Sequence, residues 1–121
     1  MISKKIIIVD DDIAILDSLS LVLDFEGFEV KTFERGTEIF NCLKNHKKPD
    51  IILLDMWLLH EDGRDICKKL KNDESTKNIP VIIMSASRGL ESTALRSGAD
   101  SFIAKPFEFD EVIGKLNEFI A

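Results

Sequence analysis

The sequence predicts an α/β fold in which helices cover both faces of a parallel β-sheet, and three observations support this prediction. Short apolar runs alternate with longer amphipathic stretches five times along the chain. Most of the runs are apolar at consecutive positions, as expected for strands that are buried on both faces. The 121 residues are enough for one domain, and alternating strands and helices are typical of parallel sheets with right-handed crossovers.

Five strands are predicted from the apolar runs. They are expected at residues 6–9, 28–33, 51–54, 81–84 and 102–104. The first consists of isoleucine and valine, whose β-branched side chains favour buried strands. The second alternates apolar Phe28 and Val30 with charged Glu29 and Lys31, and this alternation predicts a half-exposed or edge strand.

Five helices are predicted between and after the strands. They are expected at residues 13–25 and 36–46, through residues 66–70, at about residues 90–96, and through residues 112–120. Asp12 stands where an N-cap is expected, and Gly27 ends the first helix. The fourth helix is expected to be short, because Gly89 weakens its start and Gly98 ends it. The segment from the third strand to Asp62 is predicted to be a loop.

The composition excludes several classes of protein. With 45% hydrophobic and 31% charged residues, the chain can bury a core and is not a disordered tail. The formal net charge of -6 argues against direct binding of nucleic acid. No apolar stretch reaches membrane-spanning length and no signal core is present, so a cytoplasmic protein without a membrane partner is expected. Cys42 and Cys67 lack metal-ligand spacing and are expected to be buried in helices, which fits a reducing compartment.

Chemically useful side chains follow four of the five predicted strands, and in open parallel sheets ligands bind at these carboxyl ends. They are Asp10, Asp11 and Asp12 after the first strand, Asp55 after the third, Ser85 after the fourth and Lys105 after the fifth. Clustered carboxylates suit Mg²⁺, and a carboxylate can attack phosphorus to give an aspartyl phosphate. An ammonium group or a hydroxyl can hold phosphoryl oxygens. Each residue alone is non-specific, whereas the combination predicts phosphoryl transfer.

Six short motifs occur in the order and at the approximate spacing of a known family. They are Val9-Asp10-Asp11, Leu54-Asp55, Asp62-Gly63, Ser85-Ala86, Gly98-Ala99-Asp100 and Lys105-Pro106-Phe107. With them, the chain resembles bacterial response-regulator receiver domains of the CheY-like superfamily over essentially its full length. The resemblance implies a doubly wound, flavodoxin-like (βα)5 three-layer sandwich with a five-stranded parallel sheet of order 2-1-3-4-5. It also implies a single receiver domain over residues 1–121, without an output domain.

The resemblance assigns a role to each residue of the predicted site. Asp55 is expected to be the phosphoacceptor. Asp10 and Asp11, with Asp55 and the backbone carbonyl of Trp57, are expected to bind Mg²⁺ or Mn²⁺. Lys105 is expected to pair with the acceptor carboxylate and then with the phosphoryl group. The indole of Trp57 stands where members of the family tune phosphoryl loss, and it is expected to shield the group from water.

A switch is expected at two further positions. Ser85 corresponds to the hydroxyl that moves toward the phosphoryl group, and Phe102 stands at the aromatic switch position. Phe102 lacks the hydroxyl of the frequent tyrosine, so a switch there has to rest on packing. Leu59 replaces a frequent proline four residues after the acceptor, and the loop is expected to be less rigid.

The resemblance implies a signalling role rather than metabolic catalysis. The domain is expected to take a phosphoryl group from a histidine kinase or a histidine phosphotransfer protein, and to catalyse only its own phosphorylation and dephosphorylation. Phosphorylation is expected to change its affinity for a downstream protein or an attached output domain. A monomer and a phosphorylation-dependent dimer both remain open.

Three alternatives compete with this interpretation. A haloacid-dehalogenase-type phosphatase also uses aspartates after its first strand, but Ala14 stands where that family has Thr or Val, and the chain is small for that fold. A P-loop NTPase is excluded because the motif Gly-x-x-x-x-Gly-Lys-[Ser/Thr] does not occur. A phosphorylation-independent interaction domain would not need the acceptor, the acidic pair and the lysine together.

Overall fold

The structure, a computed structural model, describes residues 3–45 and 48–120 of the chain. Five strands form one parallel sheet: β1 Lys5–Val9, β2 Glu29–Phe33, β3 Ile51–Asp55, β4 Val81–Ser85 and β5 Ser101–Ala104. The helices between and after them are α1 Ile13–Phe25, α2 Thr37–Asn45, α3 Gly63–Asn72, α4 Glu91–Arg96 and α5 Phe109–Ile120. The strand order is β2-β1-β3-β4-β5, and every neighbouring pair is parallel. The predicted doubly wound fold and its strand order are confirmed.

The sheet separates two apolar layers, because successive side chains of a strand point to opposite faces. The layer against α1 and α5 contains Ile6, Ile8, Leu19, Leu23, Ile51, Leu53, Ile82, Met84, Ile103, Val112 and Leu116. The layer against α2, α3 and α4 contains Ile7, Val9, Ile39, Ile52, Leu54, Ile66, Leu70, Ile83, Ala94 and Phe102. Burying one such aliphatic side chain fully stabilises the fold by about 1.5–3 kcal/mol. The two layers together hold the strand ends in a fixed arrangement.

At the start of α1, Asp12 has a structural role that distinguishes it from its neighbours Asp10 and Asp11. The Asp12 carboxylate accepts hydrogen bonds from the backbone N–H of Ala14 at 3.0 Å and of Ile15 at 3.3 Å. Asp12 is therefore the predicted N-cap of the helix. At the other end of α1, Gly27 has a φ of 97°, which glycine adopts without strain.

The segment after β3, predicted as a loop, contains a two-stranded antiparallel ribbon of Trp57–Leu58 and Glu61–Asp62. His60 lies in its turn with a φ of 62°. The Glu61 carboxylate accepts the backbone N–H of Gly36 at 2.8 Å, so the ribbon also anchors the start of α2. Strands of two residues carry no hydrophobic periodicity, which explains why the sequence did not predict them.

The remaining differences from the predicted elements are small. β1, β2 and β5 each begin one residue away from the predicted start, and β3 and β4 each end one residue later than predicted, within the usual uncertainty of element ends. α2 is one residue shorter at its start, and His46, predicted as its last residue, lies outside the described residues. α4 has six residues and follows a 3-10 turn at Arg88–Leu90, so the predicted short fourth helix is confirmed.

A lysine ties the amino-terminal edge of the sheet together, opposite the end at which the strands carry their reactive side chains. The Lys71 ammonium donates to the Asp100 carboxylate at 2.8 Å and to the carbonyl of Ile79 at 2.7 Å. The same Asp100 oxygen accepts the backbone N–H of Val81 at 2.8 Å. These bonds join the end of α3, the start of β4 and the segment that leads into β5.

Two predictions from composition also concern the fold. Cys42 and Cys67 are both buried, in α2 and α3 respectively, as predicted. Among the described residues, no helix combines the length and the apolar character that crossing a membrane would require.

Candidate functional site

The topology brings the predicted site residues to one edge of the sheet. β1 and β3 are neighbours, and Val9 pairs with Leu54, so Asp10 and Asp55 follow on adjacent strands. β4 lies on the other side of β3 and ends at Ser85. Lys105 follows β5, and its backbone N–H donates to the carbonyl of Ser85 at 2.8 Å. The predicted convergence of these four strand ends is present in the structure.

Lys105 is ion-paired with two aspartates at once. Its ammonium lies 2.7 Å from an oxygen of Asp10 and 2.8 Å from an oxygen of Asp55. Asp10 is 0% exposed and Asp55 is 6% exposed. Buried carboxylates are costly unless they are paired and hydrogen-bonded. Lys105 supplies that pairing for both, and the backbone N–H of Asp12 donates to the other oxygen of Asp10 at 2.9 Å.

Asp10, Asp11 and Asp55 form a carboxylate cluster. Each offers one oxygen, and these oxygens lie within 4.8 Å of one another. Asp11 is exposed, so the cluster is open to solvent on one side. One ammonium faces three carboxylates, which leaves a surplus of negative charge. Hard oxygen ligands around a surplus of negative charge fit Mg²⁺ or Mn²⁺.

The surroundings of Asp55 change its acidity. Burial raises the pKa of Asp55 from 3.8 to about 6, and the neighbouring charge of Asp10 adds to this rise. The hydrogen bond from Lys105 acts in the opposite direction but does not cancel the burial. Burial also opposes the charge of Lys105, yet the hydrogen bonds to Asp10 and Asp55 raise its pKa above 10.5. At neutral pH Lys105 is therefore charged and Asp55 is mostly ionised.

The two predicted switch residues are both buried. Ser85 is 1% exposed, and its hydroxyl oxygen accepts the backbone N–H of Ser87 at 3.1 Å. Phe102 is 8% exposed and belongs to the apolar layer that includes Ala94 of α4. A switch at Phe102 that rests on packing would therefore start from a side chain that is already buried.

Gly63 holds the segment after Asp55 against the acceptor. Its backbone N–H donates to the carbonyl of Met56 at 2.7 Å. A Cβ atom at this position would collide with the backbone carbonyl oxygen of Asp55. Glycine is needed here for close approach, which gives a physical reason for the Asp62-Gly63 motif.

Arg64 is a residue near the site that the sequence did not single out. Its guanidinium binds the Asp62 carboxylate, donates to the Thr93 hydroxyl oxygen at 3.3 Å and lies 4.8 Å from the centre of the Trp57 ring. The contact between Arg64 and Thr93 joins positions that are far apart in the chain, and their spacing in the sequence does not predict it.

Comparisons with known proteins agree on one family. Residues 6–117 match the sequence profile of the response regulator receiver domain. The transcriptional regulator PhoB of Pseudomonas aeruginosa is 35% identical over 119 residues, which are 96% of this chain and 51% of that protein. The regulator RpaA of Synechocystis sp. is 33% identical over 118 residues, 96% of this chain and 48% of that protein. The chain thus spans about half the length of these curated relatives.

Solved structures agree with the sequence comparisons. A CheY-like response regulator receiver domain protein from Methanospirillum hungatei is 31% identical to this chain, with a TM-score of 0.86. The similarity covers 97% of this chain and 93% of that one. The profile match covers most of the chain and decides against the haloacid-dehalogenase alternative. The chain belongs to the response regulator receiver domain family of two-component signalling proteins.

Proposed function

We propose that Asp55 is the phosphoacceptor of this receiver domain and that Lys105 is the lysine that assists it. The observation that carries the proposal is the double ion pair of Lys105 with Asp10 and Asp55. It sits at the carboxyl ends of the strands, where open parallel sheets bind ligands. Lys105 is thus already beside the oxygen atoms at which a phosphoryl group would arrive.

We further propose that Asp10, Asp11 and Asp55, with the backbone carbonyl of Trp57, hold Mg²⁺ or Mn²⁺. The three clustered carboxylate oxygens support this part of the proposal. A divalent cation at this place would offset negative charge on the phosphoryl oxygens and on the acceptor. Asp12 is not included, because its carboxylate is used in capping α1.

The chemical step follows from what the side chains can do. An ionised Asp55 oxygen attacks phosphorus, a new P–O bond forms, and the bond from phosphorus to the donor's leaving group breaks. Lys105 moves its hydrogen bond from the Asp55 carboxylate to a phosphoryl oxygen and offsets the charge that develops there. The domain needs no general base, since an ionised carboxylate carries no proton to remove.

The signal is proposed to leave the site through Ser85 and Phe102. The Ser85 oxygen accepts a hydrogen bond from Ser87, so its own proton can be donated to a phosphoryl oxygen. Phe102 packs in the same apolar layer as Ala94 of α4. Ser85 and Phe102 lie on the neighbouring strands β4 and β5. A movement of Ser85 is proposed to alter the packing of Phe102 and the surface around α4, and so to shift the affinity for a partner.

The partners are proposed at the level of chemical class. The donor is a histidine kinase or a histidine phosphotransfer protein, and the recipient of the signal is a downstream protein or an attached output domain. PhoB and RpaA are named as transcriptional regulators, and the net charge of -6 makes direct DNA binding by this domain itself unfavourable. A cytoplasmic location, and either a monomer or a phosphorylation-dependent dimer, complete the proposal.

The test is to incubate the protein with acetyl phosphate and Mg²⁺ and to measure its intact mass. The wild type should gain one phosphoryl group, and Asp55→Asn should gain none. Asp12→Asn is the matched control, because asparagine also caps helices and the variant removes one nearby negative charge. It should gain the group as the wild type does. Unmodified wild type, or equal gain in Asp55→Asn, would remove the basis of the proposal.

A further inference from the structure

α2 begins without a capping side chain of its own. Gly36 directly precedes Thr37, the first residue of α2, and glycine has no side chain that could accept a hydrogen bond. A Cβ atom at position 36 would collide with the buried side chain of Ile66 in α3. The packing of α3 against this turn therefore favours glycine at the place where helices usually have Ser, Thr, Asp or Asn.

The carboxylate of Glu61 takes the place of the missing cap. One of its oxygens accepts the backbone N–H of Gly36 at 2.8 Å, and the other accepts that of Thr37 at 3.2 Å. N–H groups at the start of a helix have no partner within the helix, and the positive end of the helix dipole favours a carboxylate there. α2 is thus capped by a residue of the ribbon, which lies 24 residues beyond Thr37 in the sequence.

The ribbon is bonded to the segment that carries the acceptor. The backbone N–H of Gly63, directly after the ribbon, donates to the carbonyl of Met56, directly before it, at 2.7 Å. The N–H of Met56 donates to the carbonyl of Met84 in β4 at 2.9 Å. Met56 also follows Asp55 directly in the chain. A displacement at Asp55 would therefore reach the ribbon through bonded neighbours rather than through a flexible linker.

The residue that follows Glu61 contacts a different helix. Asp62 binds the Arg64 guanidinium at 2.7 Å, and Arg64 donates to the Thr93 hydroxyl oxygen in α4 at 3.3 Å. Neighbouring residues of an extended chain point their side chains to opposite sides, so Glu61 and Asp62 can serve different helices. The ribbon is thus bonded to α2 directly and to α4 through Arg64, and both helices cover the same face of the sheet.

We propose that Glu61 is a positioning residue that couples the start of α2 to the acceptor, so that α2 changes its stability when Asp55 is phosphorylated. This inference rests on the proposed role of Asp55. A phosphoryl group adds volume and negative charge at a carboxylate that is 6% exposed, and the segment from Met56 into the ribbon has to accommodate it. The two bonds from Glu61 to α2 then change in strength. α2 becomes a second region, besides α4, that reports the state of the acceptor.

A purely structural role for Glu61 makes a different prediction. In that case Glu61 stabilises α2 equally whether or not Asp55 carries a phosphoryl group. Removing the carboxylate then loosens α2 but leaves the affinity for a phosphoryl mimic unchanged. A coupling role changes both, because a bond that differs in strength between two states contributes to the equilibrium between them.

The experiment measures amide hydrogen exchange in residues 36–45 by mass spectrometry, with Mg²⁺ alone and with Mg²⁺ and beryllofluoride, which mimics a phosphoryl group on a carboxylate. In wild type, beryllofluoride should change exchange at the start of α2 about five-fold or more, the lower end of typical couplings between sites. In Glu61→Ala these amides should exchange about five-fold faster without beryllofluoride, the factor expected from losing one helix cap. They should no longer respond to beryllofluoride.

Glu38→Ala is the matched control. Glu38 lies in the first turn of α2, so this variant also removes a carboxylate near the helix start but leaves the bonds of Glu61 in place. Its α2 should respond to beryllofluoride as in wild type. The affinity for beryllofluoride, followed by the fluorescence of Trp57, should change in Glu61→Ala and stay that of wild type in Glu38→Ala. Should Glu61→Ala fail to fold, Glu61→Gln takes its place, because its amide oxygen can still accept one of the two N–H groups.

The outcomes separate this inference from the function on which it rests. A wild type in which beryllofluoride changes exchange nowhere near Asp55 overturns both. A wild type that responds around Asp55 and Ser85, but not in residues 36–45, overturns only the coupling. A response of α2 that persists in Glu61→Ala, or that is lost equally in Glu38→Ala, also overturns the coupling, since the response would then not depend on the bonds of Glu61. An affinity for beryllofluoride that Glu61→Ala leaves unchanged does the same.

Discussion

Lys71 and Lys105 are equally buried lysines at opposite edges of the sheet. Each side chain is 18% exposed, and each ammonium lies within 2.8 Å of an aspartate oxygen. They differ in the charge around them. Lys71 binds one carboxylate and backbone carbonyls, so its ion pair is balanced. Lys105 binds two carboxylates and has Asp11 close to both of them, so its surroundings are negative overall.

The comparison separates a structural ion pair from a reactive one. At the Lys71 edge one ammonium is paired with one carboxylate, and the bonds join α3 to the neighbouring strands. At the Lys105 edge three carboxylates surround one ammonium, so two carboxylates remain in excess, and burial raises the pKa of Asp55 to about 6. A surplus of buried negative charge costs stability unless a cation or a proton arrives. Both lysines are equally buried and both contact an aspartate, so these features do not distinguish the two places. The excess of negative charge around Lys105 does.

The largest effect is expected from Asp55→Asn on stability without divalent ions. Because the folded state raises the pKa of Asp55 from 3.8 to about 6, its favourable contribution is complete below pH 3.8 and is lost as the pH rises through about 6. Asparagine has no such loss. As the pH rises from about 4 to about 8, the free energy of unfolding of Asp55→Asn should rise by about 3 kcal/mol relative to that of wild type. It is measured by urea denaturation in the presence of a chelator. A constant difference across this range would contradict the assigned environment.

The next effect is expected from Lys105→Met on phosphoryl uptake. The variant removes the ammonium that would offset charge on the transferred group, and loss of one such interaction slows acyl or phosphoryl transfer by about 10²-fold. Uptake from acetyl phosphate should therefore slow by about that factor in protein shown to be folded by circular dichroism. Lys71→Met is the matched control, and in its folded state its rate of uptake should equal that of wild type.

Stability should respond to Lys71→Met in the opposite way to Asp55→Asn. Lys71 makes charge-assisted hydrogen bonds with Asp100 and with the carbonyl of Ile79, and the variant leaves these acceptors without it. The free energy of unfolding should fall by about 2 kcal/mol, measured by urea denaturation at neutral pH. A fall below a few tenths of a kcal/mol would show that the Lys71 edge does not hold the sheet together.

The smallest effect is expected from Asp12→Ala, which tests whether Asp12 belongs to the helix or to the acidic site. Loss of the N-cap should lower the free energy of unfolding by about 1 kcal/mol, while Asp12→Asn should leave it unchanged. The affinity for Mg²⁺, followed by the fluorescence of Trp57, should change little in Asp12→Asn. A loss of affinity as large as that in Asp11→Asn would place Asp12 among the ligands.

The sequence allowed the reactive edge to be predicted better than the structural one. Residues 51–54 are four apolar residues in succession, which indicate a buried strand, and Asp55 stands at its end. Parallel topology then places the strand ends together. Lys71 and Asp100 meet through the packing of α3 beside β4, and no periodicity in the chain indicates that they are partners.

The contacts of Arg64 could not be predicted for a similar reason. They depend on the short ribbon, which carries no hydrophobic pattern, and on the reach of a long side chain to Thr93 in α4. Strand position and strand-end chemistry are local in the sequence, whereas these contacts are set by how the helices pack.

The most direct test of the account identifies which aspartate carries the phosphoryl group. Wild-type protein is phosphorylated with acetyl phosphate and Mg²⁺ and reduced with borohydride, which converts an aspartyl phosphate to homoserine, and its peptides are sequenced by mass spectrometry. The account predicts homoserine at Asp55 and unmodified aspartate at Asp10, Asp11 and Asp12. Homoserine at any of those three positions, or at none of the four, would contradict it.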